Sequence, residues 1–218
     1  MHGTRRSFLA GAAGTVAVSL AGCLGGGDGG GESFESHDAS TGIEAQPTLG
    51  TLDAPGIIVG FEDPSCSSCR RFEEQTFPQL EAELITSGDA AFVYRTIDII
   101  YPWGKPASQL LASTYDAAPE AFWGLKDHFY ANQDRFRSGD VFEEVRPYLK
   151  ESSVDAGVII ESARAKEHDA FIQSNRDVAD SLGVSATPEF FLFRDGVFQT
   201  SVSGPQGYDV FASALGFE

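Results

Sequence analysis

The chain has 218 residues, 42% of them hydrophobic, which is enough for one sizeable core. Its 15 Lys and Arg face 32 Asp and Glu, for a formal net charge of −17. That balance excludes a nucleic-acid binder held by phosphate contacts, which needs a basic face, and it disfavours charge-based attachment to an anionic membrane. The acids are spread along the chain rather than gathered in a tail. They read as a solvated, salt-adapted surface of halophilic type, because the Debye length falls to about 3 Å at 1 M salt and screens like-charge repulsion. An ordinary acidic protein is the alternative.

At the N-terminus, Arg5-Arg6 precedes a mild apolar run from Ala10 to Leu20. The run is too short for the ~20 residues that a membrane-spanning helix needs. It ends in Leu20-Ala21-Gly22-Cys23. The segment resembles a twin-arginine export signal joined to a lipoprotein signal, which implies a signal peptide over 1–22 and lipid attachment at Cys23. Cleavage there removes two arginines and no acid, so the mature chain is more acidic still. Residues 23–46 are rich in Gly, Ser and Glu without apolar periodicity and read as a flexible tether, in which His37 needs no function. The folded domain is expected over 47–218.

Gly56-Ile57-Ile58-Val59-Gly60-Phe61 is a continuous apolar run, as in a strand buried on both faces. A helix is expected from Cys66 to about Thr86, kinked at Pro78, with Phe72, Leu80 and Leu84 on one side. Ala91 to Arg95 reads as the next strand, which makes a βαβ unit with a parallel pair. From Trp103 to about Leu182 the pattern is helical. Pro106 and Pro119 mark helix starts, Asp140 an N-cap and Gly183 a C-cap. Strands at Glu189–Phe193 and Val197–Val202 flank Arg194-Asp195-Gly196, a hairpin signal, and a last helix follows from about Tyr208 to Leu215. The predicted architecture is α/β: β-α-β, a helical insertion over about 103–182, then β-β-α.

With Cys23 assigned to lipid, Cys66-Ser67-Ser68-Cys69 holds the remaining thiols. A structural bridge three residues apart closes too small a loop to remove much unfolded-state entropy. At a helix N-terminus, however, the pair can reach disulfide distance, and free N–H groups with the helix dipole favour a thiolate. Cys66 is therefore the expected nucleophile and Cys69 the resolving thiol, reacting through a mixed disulfide. Zinc would need two further ligands. His128 and His168, in the helical block, lack ligand spacing and read as surface or core residues, so neither metal nor cofactor is expected.

Phe61-Glu62-Asp63-Pro64-Ser65-Cys66-Ser67-Ser68-Cys69, the segment Ala121 to Gln133, and Leu182-Gly183-Val184-Ser185-Ala186-Thr187-Pro188-Glu189 together resemble the DsbA-like thiol:disulfide interchange proteins of the thioredoxin superfamily, in that family's order. The resemblance implies a thioredoxin-like fold with a central mixed sheet and a cis Pro188 facing the dithiol. It also implies that the Thr187 backbone pairs with an extended substrate peptide. Two departures stand out. Ser67 and Ser68 replace the Pro or His common between the cysteines, and Gly60 stands where relatives often have a buried acid, leaving Glu62 as the nearby candidate for the Cys69 proton acceptor. Trp103 and Trp123 read as core.

The expected protein is a lipid-anchored, extracytoplasmic thiol–disulfide oxidoreductase of haloarchaeal type, exchanging disulfides with exported protein thiols and with a membrane or extracytoplasmic redox partner. The oxidase role is favoured. A membrane-anchored reductase and a non-catalytic surface-binding lipoprotein built on the same fold are the alternatives.

Overall fold

A computed structural model describes residues 31–217. The signal segment and Cys23 lie outside the described residues. Five strands form one mixed sheet in the order β1-β3-β2-β4-β5. Strands β2 (Gly56–Glu62) and β3 (Ala90–Thr96) are parallel and wholly buried, as their unbroken apolar runs require. Strand β4 (Glu189–Arg194) runs antiparallel to β2, and β5 (Val197–Ser203) antiparallel to β4. Asp195 and Gly196 turn the β4–β5 hairpin with φ of 49° and 74°, the positive pair that a two-residue turn of this hand demands. Strand β1 (Thr48–Leu49) adds a short antiparallel edge beside β3.

The helix after β2 is broken where Pro78 predicts a kink. Helix α1 spans Ser67–Gln75 and α2 spans Phe77–Leu80, with a wider π-helical turn over Glu81–Ile85. Proline lacks the N–H and cannot continue the α1 ladder, so it opens α2 instead. Phe72, Leu80 and Leu84 are all buried against the sheet.

The helical block contains α3 (Gly104–Ala117), α4 (Pro119–Ala131), α5 (Gln133–Ser138), α6 (Val141–Glu151) and α7 (Ala156–Ala165). Helix α8 (Asp169–Ser181) does not belong with them. Its Val178 and Ala179 pack on the opposite face of the sheet, with Ile57, Val59, Phe61 and Val93. The insertion thus ends with α7, because strand alternation gives β2 and β3 two apolar faces and α8 covers the second. A final helix, α9 (Tyr208–Ala214), seats Phe211 on the first face beside Phe72 and Phe190.

The expected tether is corrected for its second half. Residues 32–46 pack onto the domain: Phe34 N–H donates to Gly196 O at 2.8 Å, and Phe198 N–H donates to Glu32 O at 2.8 Å. Ala39 and Ile43 are buried with α8, and His37 stacks on Phe198 while its Nδ1 accepts the Ala39 N–H at 3.0 Å. The anchor is Arg95 of β3. Its guanidinium is buried, donates to the Ala39 and Thr41 carbonyls, and reaches Asn175 Oδ1 of α8 at 2.9 Å. Burial lowers its pKa to about 10. Arg95→Leu leaves those acceptors unsatisfied, so it should destabilise the protein by about 2–4 kcal/mol. Urea titration and limited proteolysis check this: a loss below about 0.5 kcal/mol, or no new cleavage within 32–46, would show that the segment is held by other means.

Candidate active site

Sheet register sets the site. The last residues of β2 lie beside the first of β4, with Phe61 opposite Glu189. The loop leaving β2 and the loop entering β4 therefore meet, which brings Cys66 and Cys69 together with Thr187 and Pro188. The Thr187–Pro188 peptide bond is cis, and the Cys66 thiol donates to Thr187 O at 3.2 Å.

The redox loop is held from below by one carboxyl. Asp63 is buried. Its Oδ1 accepts the Ser65 N–H at 2.7 Å and the Ser65 hydroxyl at 2.6 Å, while Oδ2 accepts the Ile100 N–H at 2.8 Å. Ser65 Oγ in turn accepts the Tyr101 N–H at 3.1 Å. Gly104, the first residue of α3, comes so close that a Cβ would stand 2.8 Å from Asp63 Oδ1 and 2.9 Å from Ser65 Oγ, so no larger residue fits without moving them. From the other side, Gln133 of α5 donates to Pro64 O and Cys66 O, both at 2.9 Å. The link held by Asp63 and Ser65, the latter next in sequence to Cys66, carries Ile99, Ile100 and Tyr101 as consecutive exposed apolar side chains.

Cys66 is the N-cap of α1, and both cysteines are free thiols. Hydrogen bonding from Cys69 and from the Cys69 and Ser68 N–H groups outweighs burial, lowering the Cys66 pKa from the usual 9 to about 5. Burial, with the neighbouring Cys66 and Glu62, pushes Cys69 well above its ordinary value. The pair thus separates into a thiolate at Cys66, 5% exposed, and a fully buried thiol at Cys69. Asp63 rises to about 6, chiefly through burial, with the Cys66 charge adding to it.

Beneath Cys69 lies a buried polar cluster that sequence reading named only in part. Gly60 and Glu62 share a face of β2, two residues apart. At Gly60 a Cβ would stand 3.1 Å from both the Phe92 and Phe190 rings, so aromatic packing fills the place where relatives often carry an acid. The acid sits at Glu62 instead, fully buried, and accepts the Tyr130 hydroxyl at 3.2 Å; Tyr130 is bonded to Tyr94 at 2.8 Å. Glu73 of α1 lies within hydrogen-bonding reach of Glu62, and each carboxyl keeps one buried oxygen without a partner. Burial, then repulsion from Glu73, raises Glu62 well above the carboxylate range. Lys126 of α4 binds Glu73 and, at 2.9 Å, Asp127. Burial alone would lower its pKa, but the surrounding carboxylates hold the ammonium charged. Glu73, Lys126, Tyr94 and Tyr130 carry no local motif; the one available signal was acids and a lysine at otherwise apolar helix positions.

Neither histidine joins the site. His128 stacks on Tyr148, and His168 precedes α8. No group of His, Cys, Asp or Glu able to hold a metal is found among the described residues. Trp103 is buried against Phe129 and Phe136, and Trp123 packs on Phe92 and Phe122.

Fold and dithiol define a thioredoxin-fold thiol–disulfide oxidoreductase. The family model described as "Thioredoxin" matches residues 43–213, and the chain belongs to that family. It is 25% identical over 167 residues to Disulfide bond formation protein D of Bacillus subtilis (strain 168), covering 72% of this chain and 73% of that protein. In fold it resembles oxidised BdbD from Bacillus subtilis, with a TM-score of 0.72 at 19% identity over 86% of this chain and 97% of that one. It also resembles Chlamydia trachomatis DsbA, with a TM-score of 0.68 at 20% identity over 78% of this chain and 90% of that one.

The sign of the pH dependence follows from these shifts. The Cys66 thiolate stabilises the reduced fold fully above pH 9, and that contribution disappears as pH falls through about 5. Thiolate absorbance should titrate near pH 5 with one thiol, Cys69 staying protonated beyond pH 9. Glu62→Gln should leave the lower titration in place and slow disulfide closure about 100-fold, the scale of one proton-transfer group. Stopped-flow measurement of both variables decides it; closure at the parental rate would remove Glu62 from proton transfer.

Proposed function

We propose that this chain is an extracytoplasmic disulfide oxidase for exported proteins, with Cys66 as nucleophile and Cys69 as resolving thiol. The supporting observation is the unequal setting of the two thiols: Cys66 caps α1 against the Thr187 carbonyl with its pKa lowered to about 5, while Cys69 is fully buried with its pKa raised. A stabilised thiolate favours the reduced enzyme, and an enzyme whose reduced form is stabilised is an oxidant. In each turnover a substrate thiolate attacks Cys66 Sγ of the enzyme disulfide. Cys69 leaves and takes a proton, for which the Glu62–Glu73 pair is the buried source. A second substrate thiolate then attacks the substrate sulfur of the mixed disulfide and expels the Cys66 thiolate. The substrate gains one disulfide, the enzyme ends as a dithiol, and a membrane or extracytoplasmic partner reoxidises it.

Thr187 and Pro188 form the wall against which an extended substrate lies, and Ile99, Ile100 and Tyr101 supply apolar contact for an unfolded chain. Two readings come from the sequence alone: twin-arginine export with Cys23 as the lipid anchor, and an acid surplus suited to brine. Residues 32–46 belong to the folded body, so the proposed tether shortens to about the stretch from Cys23 to Gly31. Among the described residues no helix is long and apolar enough to cross a membrane.

Redox titration in glutathione buffers tests the oxidase role. A potential above about −200 mV is expected; one near −270 mV, the thioredoxin value, would make the protein a reductase. Cys66→Ser should abolish exchange altogether. For the anchor, Cys23→Ala should move the protein from the membrane fraction into the medium, and retention would refute lipidation.

A further inference from the structure

Away from the dithiol, a cavity of about 460 Å³ opens between α3, α6, α7 and α8. Lys105 from α3, Arg164 and Lys166 from the end of α7, and Arg176 from α8 line it, with Asp98 and Asp169. In a chain with 15 cations and 32 acids, four cations and two acids in one cavity form a local reversal of charge. Asp98 is committed to Arg176 through two bonds of 2.6 and 2.8 Å. Arg164 lies over the Phe142 ring and reaches Glu143 at 3.3 Å. Lys105 and Lys166 have no ion-pair partner among the described residues, and they are two of only four lysines in the chain.

Two further features point to a ligand. Lys166 closes α7 with φ 56° and ψ 41°, the left-handed conformation that glycine adopts freely and lysine does not. Gln109, 5% exposed, lines the same cavity. Its amide N–H donates to Asp169 Oδ1 at 3.1 Å, while its Oε1 is buried with no partner. Flipping the amide would only set two oxygens against each other. The empty acceptor calls for a donor, which a fully deprotonated anion does not have.

We propose that this cavity binds a small oxyanion that also carries a hydroxyl, such as hydrogen phosphate or a hydroxycarboxylate. Lys105 and Lys166 receive the charged oxygens, and the hydroxyl donates to Gln109 Oε1. The proposal is independent of the thiol chemistry, since none of these residues touches the dithiol.

Isothermal titration calorimetry on the full chain, at constant ionic strength, tests it with inorganic phosphate, sulfate, malate and succinate. Saturable binding is expected for phosphate or malate, and the tighter of the two assigns the ligand to phosphate or carboxylate chemistry. Sulfate and succinate, which offer no comparable hydroxyl, should bind at least ten-fold more weakly. The double variant Lys105→Ala/Lys166→Gly should lose binding at least ten-fold while unfolding at or above the parental temperature, because glycine relieves the backbone at 166. Its Cys66 titration should be unchanged. Absence of saturable heat with both phosphate and malate, or parental affinity in the double variant, would overturn the site. Equal affinity for phosphate and sulfate would overturn the role of Gln109.

Discussion

The placement of Cys66 depends on the buried carboxyl of Asp63. Its two oxygens collect the Ser65 N–H, the Ser65 hydroxyl and the Ile100 N–H, so the end of β2, the redox loop and the link into the helical block are tied at one point. Gly104 can approach only because it lacks a Cβ. Remove the carboxyl and the apolar Ile99–Tyr101 link has no reason to lie beside Cys66. The bonds also work against the cost of burying Asp63, whose pKa nevertheless rises to about 6. Asp63 is thus both a support and a charge whose protonation responds to the thiolate next to it.

The two faces of the sheet handle buried charge differently. On the dithiol face, Glu62, Glu73 and Lys126 compensate one another, with Asp127 at the rim, and the arrangement can accept or release a proton without leaving an isolated ion. On the opposite face, Arg95 meets only neutral acceptors, two backbone carbonyls and Asn175. Its role is structural: it fastens the N-terminal segment across β3 and α8. A chain whose surface is densely acidic therefore keeps its interior cations for assigned positions.

Local pattern explains most of the elements found in advance. The β2–α1–β3 unit, the β4–β5 hairpin and the last helix were legible because apolar runs, Pro78, Asp195-Gly196 and Asp140 act on their immediate neighbours. The packed segment 32–46 was not, because it has no periodicity and its anchor, Arg95, is more than 50 residues further along the chain. The limit of the helical insertion was misplaced for a related reason. Helix α8 resembles its predecessors in pattern, and only the sheet's second face distinguishes it.

Length, charge and cysteine count were determined by the sequence alone, and with them one core, an acidic exterior and a single dithiol at a helix start. Sequence also placed Thr187-Pro188 before a strand. Only the tertiary structure decided that this loop meets Cys66, through the pairing of β4 with β2. It likewise decided that the acid beneath Cys69 is Glu62, since the rings of Phe92 and Phe190 occupy the space at Gly60. The physical reason is common to both. Burial and proximity shift a pKa, and neither is a property of a residue until distant strands have paired.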